Sequence, residues 1–308
     1  MRYLPLMRRA AMLCFALLFI GTATASDKLT IGITLHPYYS YVSTIVEDKA
    51  QVLPLVDEGF NAHNYQPQPA DLLRLQQMDV IVVNGIGHDD YAIKVLDAAQ
   101  RNDLAVIYAN QNVPLLAAMG ASVGSGAKNP HTFVGIATSI QKVYTIAQEL
   151  AKLDSANGAF YLANARQFAK QMRQMKFQAM QQLSDANVQA LKVATTHNAY
   201  NYFLQEFGIE VSAVIEPAHG VEPSASQLQE TIEKIRRSGI NVLFYELEMP
   251  NRFVETIERE TGVKLYRFSH MTHGAFERDK VQREMAENTA TLVEAIRYAS
   301  RLAAGESA

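Results

Sequence analysis

The chain has 308 residues, of which 48% are hydrophobic and 19% are charged, and its formal net charge is −3. This length is enough for one large domain or two of ordinary size, and the composition excludes collagen, a disulfide scaffold and bulk disorder. Because basic residues are not in strong excess, we do not expect nucleic acid as a partner.

Residues 1–25 are typical of a secretory signal peptide. Basic residues precede a short apolar run, Ala11–Gly21, and Ala23–Ala25 form a small-x-small cleavage site. Cleavage there would start the mature protein at Ser26 and remove Cys14, the chain's one cysteine. A metal ion would then have to be held by His, Asp or Glu. The alternative is a retained N-terminal anchor, for which the apolar run is short.

In the first half of the chain, short apolar runs alternate with helical patterns. One helix is opened by Pro37, a short one covers 71–75, and another presents the apolar side chains of 91–96. Strands are predicted at Leu29–Leu35, Val52–Val56, Val80–Val83 and Ala105–Tyr108. This alternation is typical of a parallel α/β sheet.

Two helical patterns lie between the halves, at about 133–150 and 156–183. The second keeps one apolar stripe throughout, with its methionines in the core rather than on a metal. A helix of that length would be roughly 42 Å long at 1.5 Å per residue. It would therefore connect two lobes as a stiff rod.

The second half repeats the order of the first. A capping box formed by Ser224 and Gln227 starts a helix that ends at Gly239, and a final helix covers about 278–303. Strands are predicted at Lys192–Thr196, Val211–Ile215, Val242–Tyr245 and Lys264–Phe268. The predicted organisation is a signal peptide (1–25), an N-terminal α/β lobe (26–132), a helical linker (133–190) and a C-terminal α/β lobe (191–308).

Three of the eight histidines stand out by position. His197 directly follows a strand, His63 comes several residues after another, and His131 lies between a loop and a helix. Ligands bind outside the carboxyl ends of strands in open parallel sheets, and three imidazoles suit zinc. The spacing alone is a weak signal because each histidine comes from a different loop. The helical zinc-protease motif HExxH, the GxSxG elbow and the phosphate-binding loops are all missing from the sequence.

The segments around these histidines carry a family resemblance. GFNAHNYQPQPADL (59–72), NPHTF (129–133) and THNAYNYF (196–203) resemble, in order, three ligand motifs of the solute-binding proteins of ABC-type zinc and manganese importers. Further landmarks of that family match at 153–164, 221–224 and 244–246, so the resemblance spans nearly all of the mature chain.

The resemblance implies two pseudo-symmetric α/β lobes with parallel sheets, joined by a long rigid helix, with one metal ion in the cleft between them. The inherited ligands are His63, His131 and His197. Manganese and iron members tend to carry a carboxylate where this chain has His197, which favours Zn²⁺ over Mn²⁺. The implied function is capture of Zn²⁺ in the periplasm by a monomer that is not an enzyme, and delivery to an ABC permease in the inner membrane.

The fourth ligand departs from the family pattern. Many members have an aspartate after the last strand of the second lobe, but residues 268–274 of this chain contain no acid. His270 lies nearest the expected position and is the predicted substitute. His273, Glu246 and a water molecule are the alternatives.

The other histidines are weaker candidates. His36 occupies in the first lobe the place of His197 in the second, so it is expected near the cleft but not as a ligand. The acids after His88 are expected to cap the following helix, so that replacing His88 should change metal binding little. His219 is expected on the surface.

Two other functional classes share these features. A metal-dependent adhesin or a periplasmic zinc chaperone of the same fold would look alike in sequence. A zinc hydrolase would need an open coordination position and a carboxylate base, for which Glu246 is the candidate, but no substrate-pocket motif accompanies it.

Overall fold

The computed structural model describes residues 28–60, 65–119, 126–215, 223–246 and 252–306. The predicted signal peptide, His63 and His219 therefore lie outside the described residues. Within those ranges, no helix combines the length and the apolarity that crossing a bilayer requires.

The first sheet is built from the first half of the chain. Its strands are β1 (Thr30–Ile33), β2 (Gln51–Pro54), β3 (Val80–Val83) and β4 (Ala105–Tyr108), and the helices between them are α1 (His36–Val46), α2 (Pro69–Leu75) and α3 (Asp90–Ala99). All pairings are parallel, in the order β2-β1-β3-β4. Pro37 lies in the first turn of α1, as predicted, because its missing N–H has no helical partner there.

Two long helices follow, α4 (Ile136–Leu153) and α5 (Gly158–Gln182). The second confirms the predicted rod, at about 38 Å for its length. Its buried positions, including Tyr161, Phe168 and Met172, keep the apolar stripe of the sequence on one face.

The second sheet repeats the first. Its strands are β5 (Val193–Thr195), β6 (Val211–Val214), β7 (Val242–Glu246) and β8 (Lys264–Phe268), accompanied by α6 (Asn201–Gln205), α7 (Ala225–Ser238), α8 (Arg252–Thr261) and the C-terminal α9 (Lys280–Ala303). The parallel order is β6-β5-β7-β8, which reproduces the first sheet strand for strand. The capping box of Ser224 with Gln227 is present, and Gly239 ends α7 at φ +60°.

Helix α5 joins the two halves of the fold. It packs against α1 and α4, which precede it in the sequence, and against α9 at the C-terminal end of the second half. One buried cluster includes residues of both sheets and of these helices, among them Tyr41, Phe133, Phe168, Phe203 and Phe268. The lobes are therefore packed on a common core, and the loops at the carboxyl ends of their strands meet each other.

Candidate metal centre

Two histidines from opposite lobes form the centre of the site. His131 lies in the loop after β4, and His197 lies two residues past the end of β5. Their Nε2 atoms are 2.7 Å apart, and the residues are 3% and 7% exposed. At that distance one imidazole donates a proton to the other. A metal ion bound to both nitrogens would replace that proton.

Asn129 fixes the orientation of His131. Its Oδ1 lies 2.7 Å from His131 Nδ1 and also accepts from the His131 backbone N–H at 3.0 Å. The Nδ1 nitrogen is thereby set as the donor, and the Nε2 nitrogen faces His197. Asn129 Nδ2 in turn donates to the carbonyl of Asn198 at 2.9 Å, which ties together the two loops that carry the histidine pair.

Two further imidazoles surround this pair. The ring of His88 lies 4.4 Å from that of His131 and 5.5 Å from that of His270, measured between centroids. The ring of His270 lies 5.0 Å from His131 and 5.5 Å from His197. His88, His131 and His270 each offer a nitrogen within 4.8 Å of the others. Four buried imidazoles from four loops thus converge, a set called below the imidazole cluster.

The position of His88 corrects the interpretation made from the sequence. Asp90 lies in the first turn of α3 as expected, but the carboxylate of Asp89 makes no capping bond to that helix. It instead accepts from the backbone N–H groups of Asn84 and Gly85, at 2.6 and 3.0 Å, and from the Thr34 hydroxyl. Burial raises the pKa of Asp89 to about 6, against these hydrogen bonds.

The Asp89 carboxylate thus stabilises a tight loop in which His88 has a φ of +74°. This left-handed conformation is uncommon for a residue with a side chain, and such strain persists where the surroundings hold it. Gly87, at φ +101°, lets the loop approach Pro130, because a Cβ atom there would lie 3.3 Å from the proline ring. The loop turns the His88 imidazole toward His131 instead of toward solvent.

Asn84 connects the loops that carry His88 and His131. Its Nδ2 donates to the carbonyl oxygens of Gly87 and Pro130, at 2.8 and 3.1 Å. Asn110 donates to the Asn84 carbonyl at 2.8 Å and accepts from the hydroxyl of Thr132. The residues that precede both histidines are therefore held by one buried amide.

A buried lysine completes this support. Lys142 has no exposed surface, and its Nζ atom donates to the hydroxyl of Thr132, directly after His131. Burial holds the pKa of Lys142 well below its usual range. This favours its neutral form and lowers the electrostatic penalty that a cation nearby would otherwise meet.

His270 is held by the loop after β8. Ser269 exchanges backbone hydrogen bonds with the Asn288 side chain of α9, at 2.8 and 2.9 Å. The Nδ1 atom of His270 lies 2.7 Å from the Thr272 hydroxyl and 3.7 Å from Oε1 of Glu246. Glu246 itself is completely buried at the end of β7. Since Thr272 occupies Nδ1, a metal in the imidazole cluster would bind Nε2.

His36 lies near the cleft, as expected, but its ring is occupied elsewhere. It stacks on Phe276 at 4.3 Å and on Phe60 at 5.6 Å, and its Nε2 lies 2.9 Å from the carbonyl oxygen of Gly274. Burial lowers the pKa of His36 to about 4, against that backbone hydrogen bond. His36 joins α1 of the first lobe to the loop that carries His270 and belongs to neither group of potential metal ligands among the described residues.

Of the four ligands expected from the sequence, the structure brings together His131, His197 and His270, while His63 lies outside the described residues. The fourth described imidazole, His88, was missed. A sequence signal did exist: His88 also follows the carboxyl end of a strand, β3, within a glycine-rich turn, NGIGH. The rule that selected His197 applies to it equally.

Comparisons with known proteins agree with this architecture. The family model for the periplasmic zinc-uptake complex component A, ZnuA, matches residues 31–295. The solved structures of the substrate-binding protein FpvC from Pseudomonas aeruginosa are similar throughout. Its complex with Mn²⁺ is 50% identical with a TM-score of 0.83, covering 88% of this chain and 99% of that one. Its complex with Ni²⁺ is 49% identical with a TM-score of 0.82, covering 88% and 97%.

Curated relatives are more distant in sequence. The metal ABC transporter substrate-binding lipoprotein ScbA of Streptococcus cristatus is 24% identical over 251 residues, covering 80% of this chain and 81% of its own length. The manganese ABC transporter substrate-binding lipoprotein PsaA of Streptococcus pneumoniae is 23% identical over 250 residues, covering 80% and 81%. These relatives are binding components of importers and not enzymes.

Proposed function

The chain belongs to the family of periplasmic zinc-uptake component A proteins, the metal-binding components of ABC importers, and on that premise we propose that it captures Zn²⁺ and delivers it to an ABC permease in the inner membrane. The observation that carries the proposal is the imidazole cluster: His88, His131, His197 and His270 come from both lobes, and each is at most 7% exposed. An ion bound there would hold the two lobes together.

The geometry of the central pair suits a metal of zinc's size. Two nitrogens of a tetrahedral zinc site, each at about 2.0–2.1 Å from the ion, are about 3.3 Å apart. The Nε2 atoms of His131 and His197 are now at 2.7 Å. A movement of only a few tenths of an ångström by each ring therefore admits the ion, within a site whose loops are already held in place.

Nitrogen donors favour zinc over manganese. Imidazole suits Zn²⁺, Ni²⁺ and Cu²⁺, whereas Mn²⁺ prefers carboxylate and water oxygens and binds most weakly of the divalent first-row series. The FpvC structures were obtained with Ni²⁺ and Mn²⁺, so the fold accommodates several ions. We assign Zn²⁺ to this chain because all the cluster residues that the structure describes are imidazoles.

The proposed ligand set extends the one expected from sequence. His131, His197 and His270 are retained, His63 remains proposed from the family motif, and His88 is added from the geometry. These are five candidates, and zinc is almost always four-coordinate, so at most four of them bind the ion at once. We propose His88 as one of them because its imidazole lies in the cluster and its loop is held in a strained conformation that aims it there.

The arrangement favours binding over hydrolysis. A hydrolytic zinc site keeps one coordination position open to water and substrate. The cluster offers four imidazoles that are nearly inaccessible to solvent. Release must then come from a shift between the lobes or of a loop, driven by a permease that binds the open form more tightly.

The test is an equilibrium titration of the metal-free protein with Zn²⁺, Ni²⁺ and Mn²⁺ against a chelator of known affinity. We expect one tightly bound Zn²⁺ per chain, weaker Mn²⁺, and a large loss of affinity in His131→Ala and His197→Ala. His36→Phe is the matched control, since it removes a buried histidine outside the cluster. Parent-like zinc affinity in both His131→Ala and His197→Ala would contradict the proposal.

Delivery to the permease from the periplasmic side of the inner membrane requires export. We propose that the chain is cleaved after Ala25, so that the exported protein begins at Ser26 and works as a monomer. N-terminal sequencing of the exported protein tests the cleavage, and sedimentation tests the monomer. A start at Met1, with the protein recovered only in membranes, would refute it.

A further inference from the structure

A second group of metal-binding side chains adjoins the imidazole cluster. Glu246, His270 and His273 each offer a ligand atom within 4.8 Å of the others. Oε1 of Glu246 lies 3.7 Å from the Nδ1 atoms of both histidines. We propose that these three residues form a second metal position, the outer position, through which the ion passes to and from the cluster. This inference rests on the proposed function.

Exposure gives the outer position a route to solvent through His273. The side chain of His273 is 29% exposed, whereas those of His270 and Glu246 are 1% and 0% exposed. Both histidines line a cavity of about 150 Å³ together with residues of α9, namely Lys280, Arg283, Glu284 and Glu287. His270 therefore lines the cavity and also lies in the imidazole cluster. It is the residue that the two groups share.

The two positions differ in chemistry as a relay requires. Two imidazoles and one carboxylate leave coordination sites for water, so a partly hydrated ion can bind at the outer position. The Glu246 carboxyl adds one oxygen ligand to the two imidazoles, 3.7 Å from the Nδ1 atom of each. The cluster offers more nitrogen ligands and binds a late first-row ion more tightly.

Sharing His270 makes the passage stepwise. An ion that moves between the positions exchanges its other ligands while the same residue remains beside it. The cluster faces Nε2 of this ring and Glu246 faces Nδ1. Two divalent ions on the two nitrogens of one imidazole would repel each other, so the ion occupies one position at a time. Removing the outer position should therefore change how fast zinc binds and leaves, and leave the affinity of the cluster unchanged.

Exchange kinetics test this directly. Stopped-flow mixing of the metal-free chain with Zn²⁺ gives the association rate, and mixing the loaded chain with excess chelator gives the dissociation rate. In His273→Ala we expect both rates to fall by a similar factor, on the order of tenfold, the scale on which groups beside a metal act, so that the Kd stays at the parent value. In Glu246→Gln, which also alters a group 3.7 Å from His270, we expect the association rate to fall. Glu287→Gln, which alters the same cavity outside the group, should exchange at the parent rates.

A second measurement isolates the outer position at equilibrium. With Co²⁺ as a visible-absorbing probe, His131→Ala should still bind one ion weakly, and His131→Ala/His273→Ala should bind it more weakly still. Equal Co²⁺ binding by these two proteins, or parent exchange rates in His273→Ala and Glu246→Gln, overturns the outer position. A weaker Kd in His273→Ala that comes only from faster dissociation, with the parent association rate, also overturns it. Parent-like zinc affinity in His131→Ala instead overturns the proposed function.

Discussion

The amide of Asn129 offers a sharp test of how the site is organised. Replacing Asn129 by Ala removes the acceptor that holds His131 Nδ1 at 2.7 Å. The imidazole can then rotate or change tautomer, so that Nε2 no longer points at the metal position. Losing such a partner of a metal-bound histidine typically costs 10- to 100-fold in affinity, or about 1.4–2.7 kcal/mol. We expect Asn129→Ala to weaken zinc binding within this range.

Asn129→Asp is the control for that experiment, because Asn129 also joins the lobes through Asn198. The aspartate retains an acceptor for His131 but loses the donated bond, so its zinc affinity should remain near the parent value while the metal-free fold loses some stability. Competition titration measures the first quantity, and thermal unfolding of metal-free protein measures the second. An equal loss of zinc affinity in both variants would show that the lobe contact matters and the ring orientation does not. Parent affinity in Asn129→Ala would refute the reasoning altogether.

Three further outcomes are expected. His88→Ala should weaken zinc binding at least as much as Asn129→Ala, since it removes a proposed ligand; an unchanged titration curve would restore the expectation drawn from sequence. The stabilisation by zinc seen in thermal unfolding, about 2.7 kcal/mol at a hundredfold excess over Kd, should disappear near pH 5, because imidazole binds metal only when neutral and has a reference pKa of about 6.5; an equal shift at pH 7 and pH 5 would contradict histidine ligation. In the metal-free protein, His36 binds fewer protons in the folded state than in the unfolded state between about pH 4 and 6.5. Its contribution to the free energy of unfolding is therefore complete above that interval and is lost as the pH falls through it. Between pH 7 and 4.5, the free energy of unfolding of His36→Phe, measured by denaturant titration, should therefore fall by roughly 2–3 kcal/mol less than that of the parent. Identical falls in the two proteins would refute the lowered pKa of His36.

Local signals made most of the fold predictable. Strands such as Val80–Val83 and Lys264–Phe268 were placed to the residue, because buried parallel strands are short apolar runs bounded by turns. The start of α7 was also predictable, because the two partners of its capping box, Ser224 and Gln227, are only three residues apart. The repeated order of elements then indicated two similar sheets.

The site was predicted partly from a strand end and partly from the family resemblance. His197 follows β5 closely, so its position at the cleft could be derived from the edge of a parallel sheet, whereas His131 and His270 were selected by their place in the family motifs. His88 was missed because its direction depends on a left-handed backbone conformation held by Asp89, whose partners are 4, 5 and 55 residues away. No periodic pattern reveals such a loop, and the acids beside His88 suggested a helix cap instead.

The second group of ligands was visible in the sequence only as a list of alternatives. Glu246 and His273 were considered substitutes for a single fourth ligand. The structure instead places Oε1 of Glu246 at 3.7 Å from the Nδ1 atoms of both His270 and His273. His270 belongs to this group and also to the imidazole cluster. That juxtaposition depends on the pairing of β7 with β8, a contact that sequence alone does not fix.

The most direct test of the central claim is X-ray absorption at the zinc edge of the protein loaded with one equivalent of Zn²⁺. The imidazole cluster predicts a shell of nitrogen or oxygen atoms at about 2.0–2.1 Å, with the outer-shell scattering of at least three imidazole rings. A first shell of oxygen atoms with at most one imidazole would contradict the account, because the ion would then be bound away from His131 and His197.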